Sequence, residues 1–360
     1  MAGSSFVVSA FAVLAFLILT ALPGSWVGPT PAEAQQGFFR TGPGTVRILQ
    51  SNSAGDNIHI IDPVHNEVVG EIEGVPIPHG VTYQPDGSVF YASNEYDHTL
   101  DVIDAESLEV IKQIPLTDGP HNIAITPDGR KIYVAIWSGE GGVDVIDTET
   151  RTNVRHIPTV GPVHNVFAAP DGRHVVAGHI QDRTLTVIET ATDRPVWSVE
   201  FEEGGVRPME FDVNPDGTTK RIFVEISGWH GFFVVDWESR EVVRRVKNPD
   251  LPLSRVDADA LQGSPSHGLA RTPDGQTLWV ASKPHNRVYA YSLPDLELQG
   301  HVDVGHHPDW LVVTPDSRYL YSANAGSNDV SAVDRRTMTE IRRIPVGHTP
   351  KRAHMMVLPD

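Results

Sequence analysis

The chain has 360 residues, 40% hydrophobic and 21% charged, a balance that excludes a disordered polypeptide. Lys plus Arg total 28 against 46 for Asp plus Glu, a formal charge of −18. A surface that acidic repels phosphate backbones and anionic lipid, so no nucleic-acid partner is expected. The lack of cysteine removes disulfides, thiolate metal sites and thiol nucleophiles together, leaving His, Asp, Glu, Met and hydroxyl groups for any chemistry.

At the amino terminus, Phe6 to Leu22 is apolar and uncharged and is followed by Pro23, Gly24 and the small-residue pattern Ala32-Glu33-Ala34. This is the apolar region and cleavage site of a secretory signal, so residues 1–34 are read as removed and residues 35–360 as one mature domain of charge −17. No Lys or Arg precedes the apolar run, and the competing reading is an uncleaved anchor, since 17 residues is near the lower limit for crossing a bilayer. The expected location is periplasmic or secreted, with no membrane insertion after cleavage.

Beyond the signal the chain repeats itself. Pro-Asp-Gly recurs at Pro85, Pro127, Pro170, Pro215 and Pro273, weakens to Pro315-Asp316-Ser317, and ends at Pro359-Asp360, with spacings of 42, 43, 45, 58, 42 and 44 residues. Around Pro85, residues 80–83, 88–92, 99–104 and 109–114 are short runs rich in β-branched and aromatic residues, with no helical stripe. Each unit therefore reads as a four-stranded antiparallel meander. Because both strand faces are largely apolar, the sheets must stack radially, which predicts an all-β, seven-bladed β-propeller. Residues 45–52, 57–62 and 67–73 supply three strands without a first one, and residues 353–358 supply the missing strand at the other end. The termini are thus expected to share one blade, closing the ring and hiding its edges.

Phe90-Tyr91-Ala92-Ser93-Asn94 and Leu320-Tyr321-Ser322-Ala323-Asn324, with the Pro-Asp-Gly turns, resemble the YVTN-type repeats found in exported propellers of the cytochrome d1-like and surface-layer types. The resemblance covers nearly the whole mature chain and implies fold and export. It fixes no reaction, since propellers with such repeats are similar to lactonases, lyases, haem d1-binding and copper enzymes and plain binding modules.

Six residues before each turn proline, where the chain enters the inner strand, stand His79, His121, His164, Met209, His267 and Asp309, with His354 one position off in the last blade. One side chain per blade at the axis would form a cluster without sequence proximity. Imidazoles with a neighbouring Met suit copper or zinc, and such a ring is similar to the copper sites of some propeller oxidoreductases. The competing reading is that duplication copied Pro-His as turn chemistry. The loops between second and third strands contribute Asn94, Glu95, His98, Trp137, Glu140, His179, Asp182, Trp229, His230, Lys283, His285 and Asn324 to the same face. From these, His179 and His230 are candidate acid-base groups, joined by Glu210 and by Arg207 as a contact for a substrate anion.

The 58-residue spacing places an insertion at about 247–266, either a lid or docking loop or an inert insertion, with a short helical turn expected at Asp257 to Leu261. No serine-hydrolase elbow, phosphate loop, dinucleotide fingerprint or H-E-x-x-H appears. The leading expectation is an exported module that binds a small molecule, metal or protein partner at the channel mouth. The alternatives are a copper or zinc oxidoreductase or a lactonase- or lyase-like enzyme using the histidines, and a structural envelope protein. A lactonase would be expected to place Asp, Glu and Asn in the channel, where this ring is mostly His.

Overall fold

The computed structural model describes residues 44–257 and 263–358. The proposed signal at 1–34 and the final Pro359-Asp360 lie outside the described residues. Seven four-stranded sheets stand around one axis, six of them with their strands in chain order from inside to outside and the seventh with the last strand of the chain inside the first three. We number the blades from the first unbroken one: its strands are Pro78–Tyr83, Val89–Asn94, Thr99–Asp104 and Val110–Pro115. The inner strands of blades two to six are Pro120–Ile125, Asn165–Ala168, Val206–Val213, Leu269–Arg271 and Pro308–Val313.

Blade seven joins the two ends of the chain. Its inner strand Pro350–Val357 pairs antiparallel with Val46–Asn52, with Ile48 opposite Met355 and Gln50 opposite Ala353. The closing strand begins three residues before the predicted 353–358 segment, a difference that matters at the axis.

Burial explains the apolar runs. Val89–Asn94 is buried along its whole length, whereas Val110–Pro115 exposes Ile111, Lys112 and Gln113 at the rim. The core lies between sheets: Tyr91, Leu100 and Val102 of blade one pack against Ile123, Val134 and Ile136 of blade two. Leu49, Ile60 and Met356 of blade seven pack in the same way against Val81, Phe90 and Ile103 of blade one. Each fully buried aliphatic or aromatic side chain contributes about 1.5–3 kcal/mol, and the contacts run unbroken around the ring.

The Pro-Asp-Gly period has a local cause. The Asp accepts the amide of the residue after Gly, as in Arg130 N to Asp128 Oδ1 at 3.1 Å, and the Gly takes the left-handed region that side chains resist. Gly129 (φ 70°) and Gly217 (φ 84°) do so, and in blade six Ser317 occupies the position at φ 61°. The insertion before blade five is tied down at the face where the inner strands begin, by Asp257 N to Pro284 O at 2.8 Å and Gly231 N to Ser266 Oγ at 2.9 Å. It contains a 3-10 turn at Leu253–Arg255. The helical turn expected at Asp257 to Leu261 falls, except for Asp257, outside the described residues.

A methyl group on Gly129 would meet Pro85 Cδ at 2.6 Å, whereas one on Gly217 would meet nothing within 4 Å. Gly217→Ala should cost about 1–2 kcal/mol from backbone conformation alone, and Gly129→Ala measurably more, both read by denaturant unfolding. Equal losses would show that the Pro85 contact relaxes freely.

Candidate functional site

Seven side chains, one per blade, meet at the axis: His79, His121, His164, Arg207, His267, Asp309 and Lys351. The histidine spacing therefore does gather the four imidazoles. The His79 and His121 rings lie 3.5 Å apart, His121 and His164 4.0 Å, and His164 and His267 6.3 Å.

Two positions assigned from the sequence are corrected. Val206 faces Ile226 as Pro78 faces Asn94, and Met209 faces Val224 as Val81 faces Ala92. Arg207, not Met209, is thus the counterpart of His79. The inner strand of blade four has eight residues against six in blade one, so counting six back from the turn proline falls two residues short of the axis. Met209 packs into the core between blades three and four with Val206 and Leu185. The same lengthening affects Pro350–Val357. There Lys351 holds the axial place, while His354 lies farther along the channel, 5.4 Å from Tyr83, where it lines a separate cavity with Phe167 and Trp310.

The axial chamber has a volume of about 160 Å³ and is also lined by Ser264, Lys283 and Arg352. It opens into a wider mouth of about 360 Å³ bounded by Ser53, Ile77, Glu95, Trp137 and Ile180. A cavity of about 400 Å³ near Pro63, Pro315 and Tyr319 is larger, but its lining holds one carboxylate, Asp316, and no convergent set of ionisable groups. Chemistry rather than size therefore singles out the axis.

Burial and neighbouring cations push all four imidazoles well below the ordinary histidine range, so they are neutral. His79 Nδ1 lies 3.4 Å from Glu95 Oε2, and His267 Nδ1 lies 2.9 Å from the Asp309 carbonyl. Asn165 Nδ2 meets His164 Nδ1 at 2.7 Å. Arg207 Nε donates to Ser227 Oγ at 2.7 Å. The Arg352 guanidinium stands 4.2 Å over the Trp310 ring, donates to Asn165 Oδ1 at 3.0 Å, and leaves Nε and Nη1 without partners. Lys283 ion-pairs with Asp309. Burial opposes ionisation of Asp309, yet His267, followed by Lys283, Lys351 and Arg352, holds its carboxyl below the usual range.

Glu225 is the residue that sequence reasoning missed most clearly. It is fully buried beside this set, accepts Gly268 N at 2.7 Å through Oε2, leaves Oε1 unpartnered, and is pushed well above the carboxylate range by burial. A signal for it existed. By strand register it occupies the column held by Ser51, Ser93, Ala135, Gly178, Ala281 and Ala323 in the other blades.

The other candidates lie off the axis. His179 is fully buried, between the Pro162 carbonyl (3.2 Å) and Thr186 Oγ1 (3.3 Å). His230 bonds Ser282 Oγ at 2.7 Å and packs against His285, and burial lowers its pKa to about 3. Glu210 accepts Phe211 N and Arg271 N between blades four and five, and burial raises its pKa to about 7. None of the three lines the chamber.

A family model described as Lactonase, 7-bladed beta-propeller, matches residues 66–344. The chain belongs to that family. No curated protein is significantly similar to it in sequence. Among solved structures, a hydrazine synthase chain of Kuenenia stuttgartiensis is 22% identical with a TM-score of 0.69, covering 89% of this chain and 99% of that one. The periplasmic gluconolactonase of Pseudomonas aeruginosa is 19% identical with a TM-score of 0.67, covering 88% and 100%. A dihydro-heme d1 dehydrogenase is 16% identical with a TM-score of 0.60, covering 82% of this chain and 63% of that one. At these identities the likeness is one of fold. Among the described residues no helix is long and apolar enough to cross a membrane.

The neutral imidazoles make stability pH-dependent. Above the ordinary histidine pKa of 6.5, His121 is neutral in both folded and unfolded chains and has no effect; below it, the unfolded chain binds a proton that the folded chain refuses. Glu225 and Glu210 act oppositely, because their raised pKa values keep protons on the folded chain. His121→Gln isolates one imidazole: on lowering the pH from about 7.5 to about 5.5, wild type should lose up to about 1.4 kcal/mol per pH unit relative to the variant below the His pKa. Parallel denaturation curves would mean that His121 titrates in the folded chamber.

Proposed function

We propose that the chain is an exported lactonase-type hydrolase that opens an anionic lactone in the axial chamber. The observation that carries this reading is the concentration of Arg207, Lys351, Arg352 and Lys283 around neutral imidazoles, with Asp309 the ionised carboxylate among them. An anion entering this space neutralises buried positive charge. The same cations weigh against copper or zinc at His79, His121, His164 and His267, because a divalent ion would add to that charge. Membership of the lactonase family supports hydrolysis over simple binding or a structural envelope role. Export rests on the signal-like segment at 1–34, and a periplasmic neighbour agrees with it.

In this mechanism the His79–Glu95 pair supplies the base. Glu95 faces Nδ1 and leaves Nε2 to take a proton from water as its oxygen adds to the lactone carbonyl. The negative charge forming on the carbonyl oxygen is met by Arg207 and Lys351, which are fixed before reaction. The endocyclic C–O bond then breaks, the imidazolium returns its proton to the departing alkoxide, and the product is a hydroxy acid. Arg352 and Lys283 hold the anionic substituent deeper in the channel.

Hydrolysis of 6-phosphogluconolactone and of unphosphorylated gluconolactone, followed by pH-stat titration against the spontaneous rate, tests this. The anionic lactone should be preferred, and His79→Gln and Arg207→Met should each lower kcat/KM by about 10²-fold or more. Binding of 6-phosphogluconate without turnover of either lactone would instead support the binding module.

A further inference from the structure

Away from the axial chamber, the insertion meets blade six at a cluster with different chemistry. His306 Nε2 and His307 Nε2 each lie 2.9 Å from the same oxygen, Asp257 Oδ2, and the two imidazoles stack with centroids 4.2 Å apart and planes 18° from parallel. Among the described residues this is the His/Asp/Glu group in which three ligand atoms lie within 4.8 Å of one another. We infer that Asp257, His306 and His307 form a two-histidine, one-carboxylate site for a divalent transition-metal ion of the zinc type, which ties the insertion to the adjacent blade.

The donor set is the first support. Two imidazole nitrogens and one carboxylate oxygen are ligands that zinc accepts, with the fourth position left to water. Three donors about 2.1 Å from a tetrahedral ion stand roughly 3.4 Å from one another, so the nitrogen-to-oxygen separations need to open by only about half an ångström. All three side chains are partly exposed, with 47%, 28% and 22% of the His306, His307 and Asp257 side chains accessible, so an ion can reach them from solvent. The acidic protein as a whole attracts cations.

The backbone already holds these groups in place. His306 N donates to Ser327 Oγ at 2.9 Å, His307 N donates to Asn286 Oδ1 at 2.9 Å, and Asp257 N donates to Pro284 O at 2.8 Å. The fold also supplies an internal comparison. His307 precedes Pro308 with φ 52°, just as Ile77 and Thr349 precede Pro78 and Pro350 with φ 50° and 55°. The left-handed turn is therefore common scaffold. His348-Thr349-Pro350 repeats the pattern of His306-His307-Pro308 with threonine in place of the second histidine, and His348 Nδ1 has an amide, Asn328 Nδ2, at 3.5 Å. The three donors come together where the chain has both a second histidine and an inserted carboxylate.

The test uses the full chain, without an affinity histidine tag, stripped with chelator and titrated with zinc chloride by calorimetry and elemental analysis. One equivalent should bind to wild type, to His348→Ala and to His121→Gln, and should be lost in Asp257→Asn and in His306→Ala. Cleavage within 247–266 by a protease that is itself zinc-independent should slow on zinc addition in wild type, by up to about 100-fold at zinc 100 times the dissociation constant where opening is required for both cleavage and zinc release, and should not slow in the two variants. Zinc uptake that survives both substitutions, or that disappears in His121→Gln alone, would overturn the assignment and place the ion elsewhere, at the axis in the second case. These outcomes are independent of whether the chamber hydrolyses lactones.

Discussion

Closing seven sheets into a ring brings the start of every inner strand to one axis and takes the side chains there out of water together. That shared desolvation governs the site. Outside a protein, four histidines, an arginine and a lysine would be a mixed, fluctuating charge; here the histidines respond by staying neutral while the arginine and lysine keep their charge, because an imidazole gives up its proton far more easily. The outcome is a chamber of uncharged bases among fixed cations, which is what ester hydrolysis on an anion needs. The scaffold produces it from one side chain per blade, far apart in sequence.

The architecture was legible because its causes are local. A Pro-Asp-Gly turn needs an Asp to accept an amide and a residue at positive φ, Gly in five copies and Ser317 in blade six, and these leave their mark in the sequence. The shared blade could be read from an absent first strand at one end and a surplus strand at the other. The axial histidines were legible for the same reason: in His79, His121, His164 and His267 the distance to the turn is constant. The count failed in blades four and seven, where the inner strand is two residues longer and register, not distance from the turn, decides which side chain reaches the axis. Proline immediately before the axial residue, as in Pro350-Lys351, marks blade seven where the distance to the turn does not, whereas in blade four Pro208 follows Arg207 and only register identifies it.

Glu225 teaches a different lesson. Scanning for histidines finds only groups that look like chemistry, whereas alignment of the seven blades shows a large acid in a column of serine, alanine and glycine. A small residue there leaves room beside the inner strand. Glu225 fills that room, takes the Gly268 amide and keeps its other oxygen unsatisfied next to the cations. A buried acid so expensive to ionise stays protonated, and Glu225 therefore adds no negative charge beside the cations. The axial imidazoles follow the repeat, and Glu225 breaks it beside them.

The insertion before blade five breaks the repeat most. Its Ser264 lines the axial chamber and its Asp257 meets His306 and His307, so one loop contributes to two places with opposite electrostatic character. The chamber is rich in fixed positive charge and suits an anion; the outer cluster has two imidazoles, a carboxylate and solvent access, and suits a cation. A metal ion at the outer cluster would tie Asp257 to blade six while remaining outside the chamber itself. An ion held there would add no charge where Arg207, Lys283 and Arg352 already lie close together, and so metal binding and anion binding need not compete for the same space.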